Sequence, residues 1–196
     1  MGYGEIFFSG GPACDLEYYF SLVDGVEKIE VVYIDGPTEY VRHEEVIKGS
    51  GHVEGVRILF KESVIDLLDF VRLFIVLFEP FSTNELSEYL PKYQRVGIYT
   101  FDDLDRDEIL TFFNDLEKLH HEEVNYWPKY IEDYCRAEEE FQAFLEKNPE
   151  VVCSIGVNEI SRAYNVINCS DFGDWYCLNL SPAKRPIRSN ILLKSD

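Results

Sequence analysis

The sequence predicts an α+β fold: an antiparallel sheet packed against several helices, with an acidic helical hairpin in the C-terminal half. Three observations predict it. Short β-branched and aromatic runs, bounded by Gly, Pro and Asp, recur through the first sixty residues. A strongly apolar stretch at helical spacing follows, from Ser63 to Phe78. Then Phe101 to Glu150 holds two amphipathic segments in which sixteen of fifty residues are Asp or Glu, against five Lys or Arg. In 196 residues there is no long linker, internal repeat or low-complexity run, so one α+β domain over 1–196 is expected.

Glu5 to Ser9 reads as a short strand that stops at Gly10 and Gly11. Pro12 suits a first helical turn, Leu16, Tyr19, Phe20 and Val23 follow at helical spacing, and Gly25 closes the helix. The glycine pair lacks a nucleotide-loop spacing and reads as a plain turn. Lys28 to Ile34 is the next strand, stopped by Asp35, Gly36 and Pro37. Glu39 to Ile47 alternates in part and is a further candidate strand, and Val56 to Phe60 completes an antiparallel meander. His43 and His52 lie in this region near Glu44, Glu45 and Glu54, but proximity in sequence defines no metal geometry, and no metal is expected.

Val64, Leu67, Leu68, Val71, Phe74, Ile75 and Phe78 form a wide apolar face, expected as a buried helix capped by Ser63. Its last part, Leu73 to Phe78, also fits a buried strand, and Pro80 ends it either way. A short helix is expected from Ser82 or Thr83 through Tyr89, and a strand from Arg95 to Phe101. Asp102, Asp103, Asp105, Asp107 and Glu108 then gather at the start of a long helix, where negative charge favours the helix dipole. Pro128 marks a break before a second helix, with Ile131, Tyr134, Phe141, Phe144 and Leu145 facing inward. Glu138 falls inside that apolar stripe, where a carboxylate needs a partner such as a tyrosine hydroxyl or an arginine. Val151 to Ile155 reads as a strand, Asn158 to Asn168 as a short helix or a loop, and Trp175 to Leu180 as a last strand. The tail from Lys184 to Lys194 is basic.

The net charge is −19, which repels nucleic acid and anionic membrane and attracts cationic partners. The cysteines, Cys14, Cys135, Cys153, Cys169 and Cys177, are odd in number and show no C-x-x-C spacing, so reduced and mostly buried thiols are expected. The N-terminus is unlike a signal peptide, and the longest apolar run is too short to span a bilayer. A cytoplasmic protein is expected. No G-x-S-x-G is present, and Glu117-x-x-His120 is half of a di-iron motif without its second half. No cofactor is therefore expected, and the balance leans away from an enzyme.

Asp171 to Ser181 (DFGDWYCLNLS) locally resembles the G-D-x-Y-x-C-L-D-L type of strand in SMI1/KNR4-like immunity domains, over eleven residues and with Asn179 in place of the usual acid. That resemblance and the charge point the same way. The function expected from sequence is an acidic binding protein, most concretely a bacterial immunity protein that neutralises a basic toxin such as a nuclease. Asp107, Glu108, Asp115, Glu132, Glu139 and Glu140 would steer the partner, and Tyr126 and Trp127 would anchor it. The alternatives are a phage-type DNA mimic and an enzyme without a recognisable motif.

Overall fold

A computed structural model describes residues 2–81 and 90–167. The first strand, β1 (Tyr3–Ser9), runs into helix α1 (Ala13–Ser21), and β2 (Val26–Ile34) follows. A short helix α2 (His43–Ile47) precedes β3 (Val53–Lys61), and the apolar stretch forms α3 (Leu67–Leu77). The next strand, β4 (Gly97–Thr100), leads into the long helix α4 (Asp103–His120). Two three-residue strands, β5 (Pro128–Tyr130) and β6 (Tyr134–Arg136), are followed by short helix α5 (Phe144–Lys147) and by α6 (Val157–Ile167). Among the described residues no helix is long and apolar enough to cross a membrane.

The six strands form one sheet in the order β5-β4-β1-β3-β2-β6. The predicted meander is corrected: β2 and β3 pair antiparallel, but β1 lies beyond β3 rather than beside β2, and no strand forms between β2 and β3. The purely antiparallel sheet is corrected: β4 and β5 pair in parallel, Ile98 against Pro128. The helix α4 explains this, since a helical crossover returns the chain in the direction in which it left.

The acidic helical hairpin is corrected as well. Its first arm exists as α4, capped by Asp102, whose Oδ1 accepts the Leu104 N–H at 2.6 Å. His121 closes it in the left-handed region at φ 56°. The second arm is not a helix. Tyr134, Cys135 and Arg136 pair with Ile34, Tyr33 and Val32 at the free edge of β2. Further along, the buried Gln142 side chain accepts the Val31 N–H at 2.9 Å and donates to the carbonyls of Val31 and Ala137. Partners about a hundred residues away thus hold the segment extended against its helical periodicity. Replacing Gln142 by alanine would leave the Val31 N–H unpaired, while the Val31 carbonyl keeps the Ala137 N–H at 3.0 Å, and should cost about 1–3 kcal/mol in urea unfolding. A loss below about 0.5 kcal/mol would show that this side chain does not hold the segment.

Three smaller expectations change. Glu39 to Ile47 is not a strand; α2 occupies its end, and the Glu45 carboxylate accepts the Arg42 N–H at 3.0 Å. The buried helix α3 starts at Leu67 rather than after Ser63, because Asp66 caps it by accepting from the Asp69 N–H at 2.8 Å. Val151 to Ile155 is a run of bends, with the Val151 N–H turned back onto the Asn148 carbonyl. Of the two readings left open after Asn158, the helix forms, as α6. The helix expected over 82–89, the final strand Trp175 to Leu180, the motif from Asp171 to Ser181 and the basic tail lie outside the described residues.

The main core lies where α1, α3 and α4 cover one face of the sheet. Phe8 stacks between Phe20 and Phe74, with ring centres 5.0 and 4.6 Å away. On the other face Phe7, Val32, Ile34, Val53, Tyr99 and Ile131 form a second, smaller cluster. Strands buried on both faces explain why β1 and β2 read as continuous apolar runs. They also anchor the turn from β1 into α1, around which the polar groups of the molecule converge.

Candidate active site

The turn after Ser9 is built from Gly10, Gly11 and Pro12. Gly11 takes φ 67° and donates its N–H to the Gln94 carbonyl at 3.1 Å. A left-handed backbone at that point favours glycine. Pro12, at φ −65°, then starts α1, so Cys14 lies in the first helical turn and is half-buried. The neighbouring Ala13 N–H donates to Glu54 Oε1 at 3.3 Å.

Glu54 projects from β3 directly opposite Tyr33 of β2. The Tyr33 hydroxyl donates to Glu138 Oε2 at 2.8 Å, and the His43 N–H donates to Glu138 Oε1 at 3.0 Å. The His43 ring packs on Phe141 with centres 4.3 Å apart. Glu138 therefore has a tyrosine hydroxyl as partner, as expected, although the helical stripe in which it was placed does not form. Burial opposes its charge, but the hydrogen bonds from His43 and Tyr33 outweigh it and hold the carboxyl below the usual range. Glu54 shifts the other way. Burial raises its pKa, only partly offset by the Ala13 N–H, by His43 and by the Gln94 side chain.

Burial also pushes the Cys14 thiol up to about 11, and the charges of Asp15 and Glu54 add to it. A helix N-terminus would lower a thiol pKa, but here desolvation and two carboxylates win. Cys153 lies close by, and burial likewise pushes its thiol up to about 11. One carboxylate stands between them: Asp15 accepts from the Cys14 thiol at 4.0 Å, from the Cys153 thiol and from the Ser154 hydroxyl. A cavity of about 110 Å³ opens beside Cys14, lined also by Glu17, Tyr18, Ile29, Ala143 and Leu145. Cys135 is apart from this group, buried, with its thiol directed to the Val41 carbonyl at 3.5 Å.

The residues expected to meet a partner are not brought together. Asp107, Glu108 and Asp115 are exposed on α4; Asp107 pairs with Arg106 at 3.2 Å and Asp115 with Lys118 at 2.9 Å. Glu132 sits in the loop between β5 and β6, and Glu140 in a 3-10 turn. Glu139 pairs with Arg136 at 2.9 Å and with Lys147 at 3.6 Å. Tyr126 donates its hydroxyl to the Phe78 carbonyl and packs on the core. Trp127 lies edge-on to Phe113, their ring centres 6.0 Å apart. Of the histidines weighed earlier, His52 is buried and bonded to Ser50 and to the Thr38 carbonyl, while His43 joins the polar cluster. Among the described residues no group of three or more His, Cys, Asp or Glu is placed to hold a metal.

Sequence reasoning missed Cys14, Tyr33, Glu54 and Cys153. Two signals were available: a cysteine in the first turn after Gly-Gly-Pro, and a lone acid in the run that becomes β3. The side chains gathered here, two neighbouring thiols and a carboxyl whose pKa burial raises, suit two-electron thiol chemistry on a polar oxygen-bearing group.

The class so defined, a thiol-dependent oxidoreductase, matches what the chain resembles. The family model of peptide methionine sulfoxide reductase matches residues 4–170, and the chain belongs to that family. The peptide methionine sulfoxide reductase MsrA of Mycoplasmopsis pulmonis is 34% identical over 164 residues, covering 82% of this chain and 96% of its own. That of Clostridium tetani is 32% identical over 155 residues, covering 79% and 94%. Among solved structures, Mxr1 from Saccharomyces cerevisiae in reduced form matches with a TM-score of 0.65 at 20% identity, over 78% of this chain and 90% of that one. Methionine sulfoxide reductase A of Corynebacterium diphtheriae matches with 0.63 at 20%, over 78% of each chain. These structures support the fold alone.

Kinship with enzymes overturns the lean away from catalysis. It also overturns the immunity-protein reading, the basic toxin as partner and the DNA-mimic alternative. Three of the six acids expected to steer a partner, Asp107, Asp115 and Glu139, pair instead with the chain's own Arg and Lys, and Asp102 caps α4.

Proposed function

We propose that this protein reduces methionine sulfoxide in peptides to methionine, with Cys14 as attacking thiol, Glu54 as proton donor and Cys153 as second thiol. The observation that carries the reading is the Glu54 carboxyl bound to the Ala13 N–H, one residue before Cys14 at the start of α1, in a chain of this family. A sulfoxide resists nucleophilic attack at sulfur until its oxygen is protonated. A carboxyl whose pKa is raised by burial is suited to supply that proton.

In the first step the Cys14 thiolate and protonated Glu54 act on the sulfoxide. The oxygen and the Glu54 proton end on Cys14 as a sulfenic acid, the substrate leaves as a thioether, and Glu54 is left ionised. Cys14 sulfur is oxidised by two electrons and the substrate sulfur is reduced by two. In the second step the Cys153 thiol attacks the sulfenic sulfur, giving a Cys14–Cys153 disulfide and water. An external dithiol then restores both thiols. The three described cysteines are free thiols, and a cycle that needs a reductant suits a reducing compartment, so we place the protein in the cytoplasm.

The test is direct. The purified protein is incubated with dithiothreitol and a blocked methionine sulfoxide, and the two sulfoxide epimers are resolved by chromatography. One epimer should be consumed with an equal yield of methionine. Consumption of neither above the protein-free control would end the proposal.

A further inference from the structure

Asp15 and Glu17 are acids on α1, 5% and 7% exposed, and neither is needed for the two steps above. Acids are seldom buried without a structural or chemical task. Each of these binds a different end of one stretch of chain. Glu17 Oε1 accepts the Ala143 N–H at 2.8 Å, and Glu17 Oε2 accepts the Phe144 N–H at 3.3 Å. Asp15 accepts the Ser154 hydroxyl and the Cys153 thiol.

Ala143 adopts a left-handed backbone, φ 49° and ψ 42°. That conformation is disfavoured for a residue with a Cβ and aims successive N–H groups toward one point. Here the point is a carboxylate of the protein itself. Burial raises the Glu17 pKa and the nearby Glu146 adds to it, while the two N–H groups and Lys147 favour the ion.

The helix geometry gives this arrangement its meaning. At about 100° per residue, Asp15 lies about 100° to one side of Cys14 and Glu17 about 60° to the other. A strap running from Ala143 to Ser154, held at both ends by these acids, must cross the face on which Cys14 stands. The 110 Å³ cavity, walled by Cys14 on α1 and by Ala143 and Leu145 on the strap, is the space left between them. Cys153 sits at the far end of the strap.

We propose that Asp15 and Glu17 form a two-point clamp that presents Cys153 to Cys14, with Glu17 as a positioning residue for disulfide formation rather than for attack on the substrate. The proposal rests on the pairing of thiols given under the proposed function, and its test does not require the sulfoxide reaction. Hydrogen peroxide oxidises the Cys14 thiol to a sulfenic acid with release of water, and the Cys153 thiol then displaces a second water to form the disulfide.

Reduced protein is treated with peroxide, quenched by alkylation at intervals, and the Cys14–Cys153 disulfide is followed by peptide mass mapping. Glu17→Gln presents an amide NH2 to one of the two N–H donors. It should slow disulfide formation at least about tenfold, one clamp contact of about 1.4 kcal/mol. Glu17→Asp, a methylene shorter and able to reach one N–H only, should fall between Glu17→Gln and the parent. In a Cys153→Ser background, dimedone should trap the Cys14 sulfenic acid at the same rate with or without the Glu17→Gln change.

A disulfide rate equal to wild type in both Glu17 variants would overturn the clamp. So would a parallel loss of dimedone trapping, which would show a general structural role. A protein that forms the disulfide as expected yet reduces no sulfoxide would leave the clamp standing and remove the proposed function alone.

Discussion

Replacing Cys14 by serine should abolish methionine formation, with at least about a thousandfold loss in kcat/KM. A hydroxyl cannot take the sulfoxide oxygen and hold it as a stable oxidised group, so the variant has no two-electron donor at the start of α1. The other described thiols do not substitute for it. Cys153 stands beyond Asp15, and Cys135 is buried against the Val41 carbonyl. Cys135→Ser should therefore stay within about twofold of the parent, because it removes nothing from the site. The measurement is the first turnover without reductant, as methionine released per enzyme. A full equivalent released by the Cys14→Ser protein would remove Cys14 from the mechanism.

The second large effect is on Glu54. In the reactive form Cys14 is ionised and Glu54 is protonated; burial raises both pKa values, that of the thiol to about 11. Between the two pKa values the gain in thiolate with rising pH is cancelled by the loss of protonated acid. The profile of kcat/KM should then be flat over that interval. It should fall in acid below the raised Glu54 pKa and fall again in alkali above about 11. Glu54→Gln removes one arm of that balance. Its rate should drop about a hundredfold or more at neutral pH, and should then climb about tenfold per pH unit as the thiolate accumulates. A variant that keeps the flat profile would show that another group protonates the oxygen.

The central strands and α1, α3 and α4 were legible because each signals itself locally. Apolar runs end at Gly and Pro, Asp102 caps α4, and α3 has a wide apolar face. The second arm of the hairpin was misread because its periodicity fits a helix, while its backbone partners are Val31 to Ile34, about a hundred residues earlier. No window of sequence contains both. The same distance hid the site. Cys14, Tyr33, Glu54, Glu138 and Cys153 come from five separate segments, and only Glu138 was marked as anomalous. The charge misled for a different reason: −19 over the chain does not say which carboxylates stand free, and Asp107, Asp115 and Glu139 are held in internal pairs.

Both rims of the sheet end in strands of three residues, Pro128–Tyr130 on one side and Tyr134–Arg136 on the other. Pro128 lacks an N–H, and Lys129 and Arg136 bring exposed charge to these rims. A stray extended chain finds too short a run of open hydrogen-bonding groups to add to. At high concentration the folded protein should therefore resist stacking edge to edge, even though its inner strands are apolar on both sides.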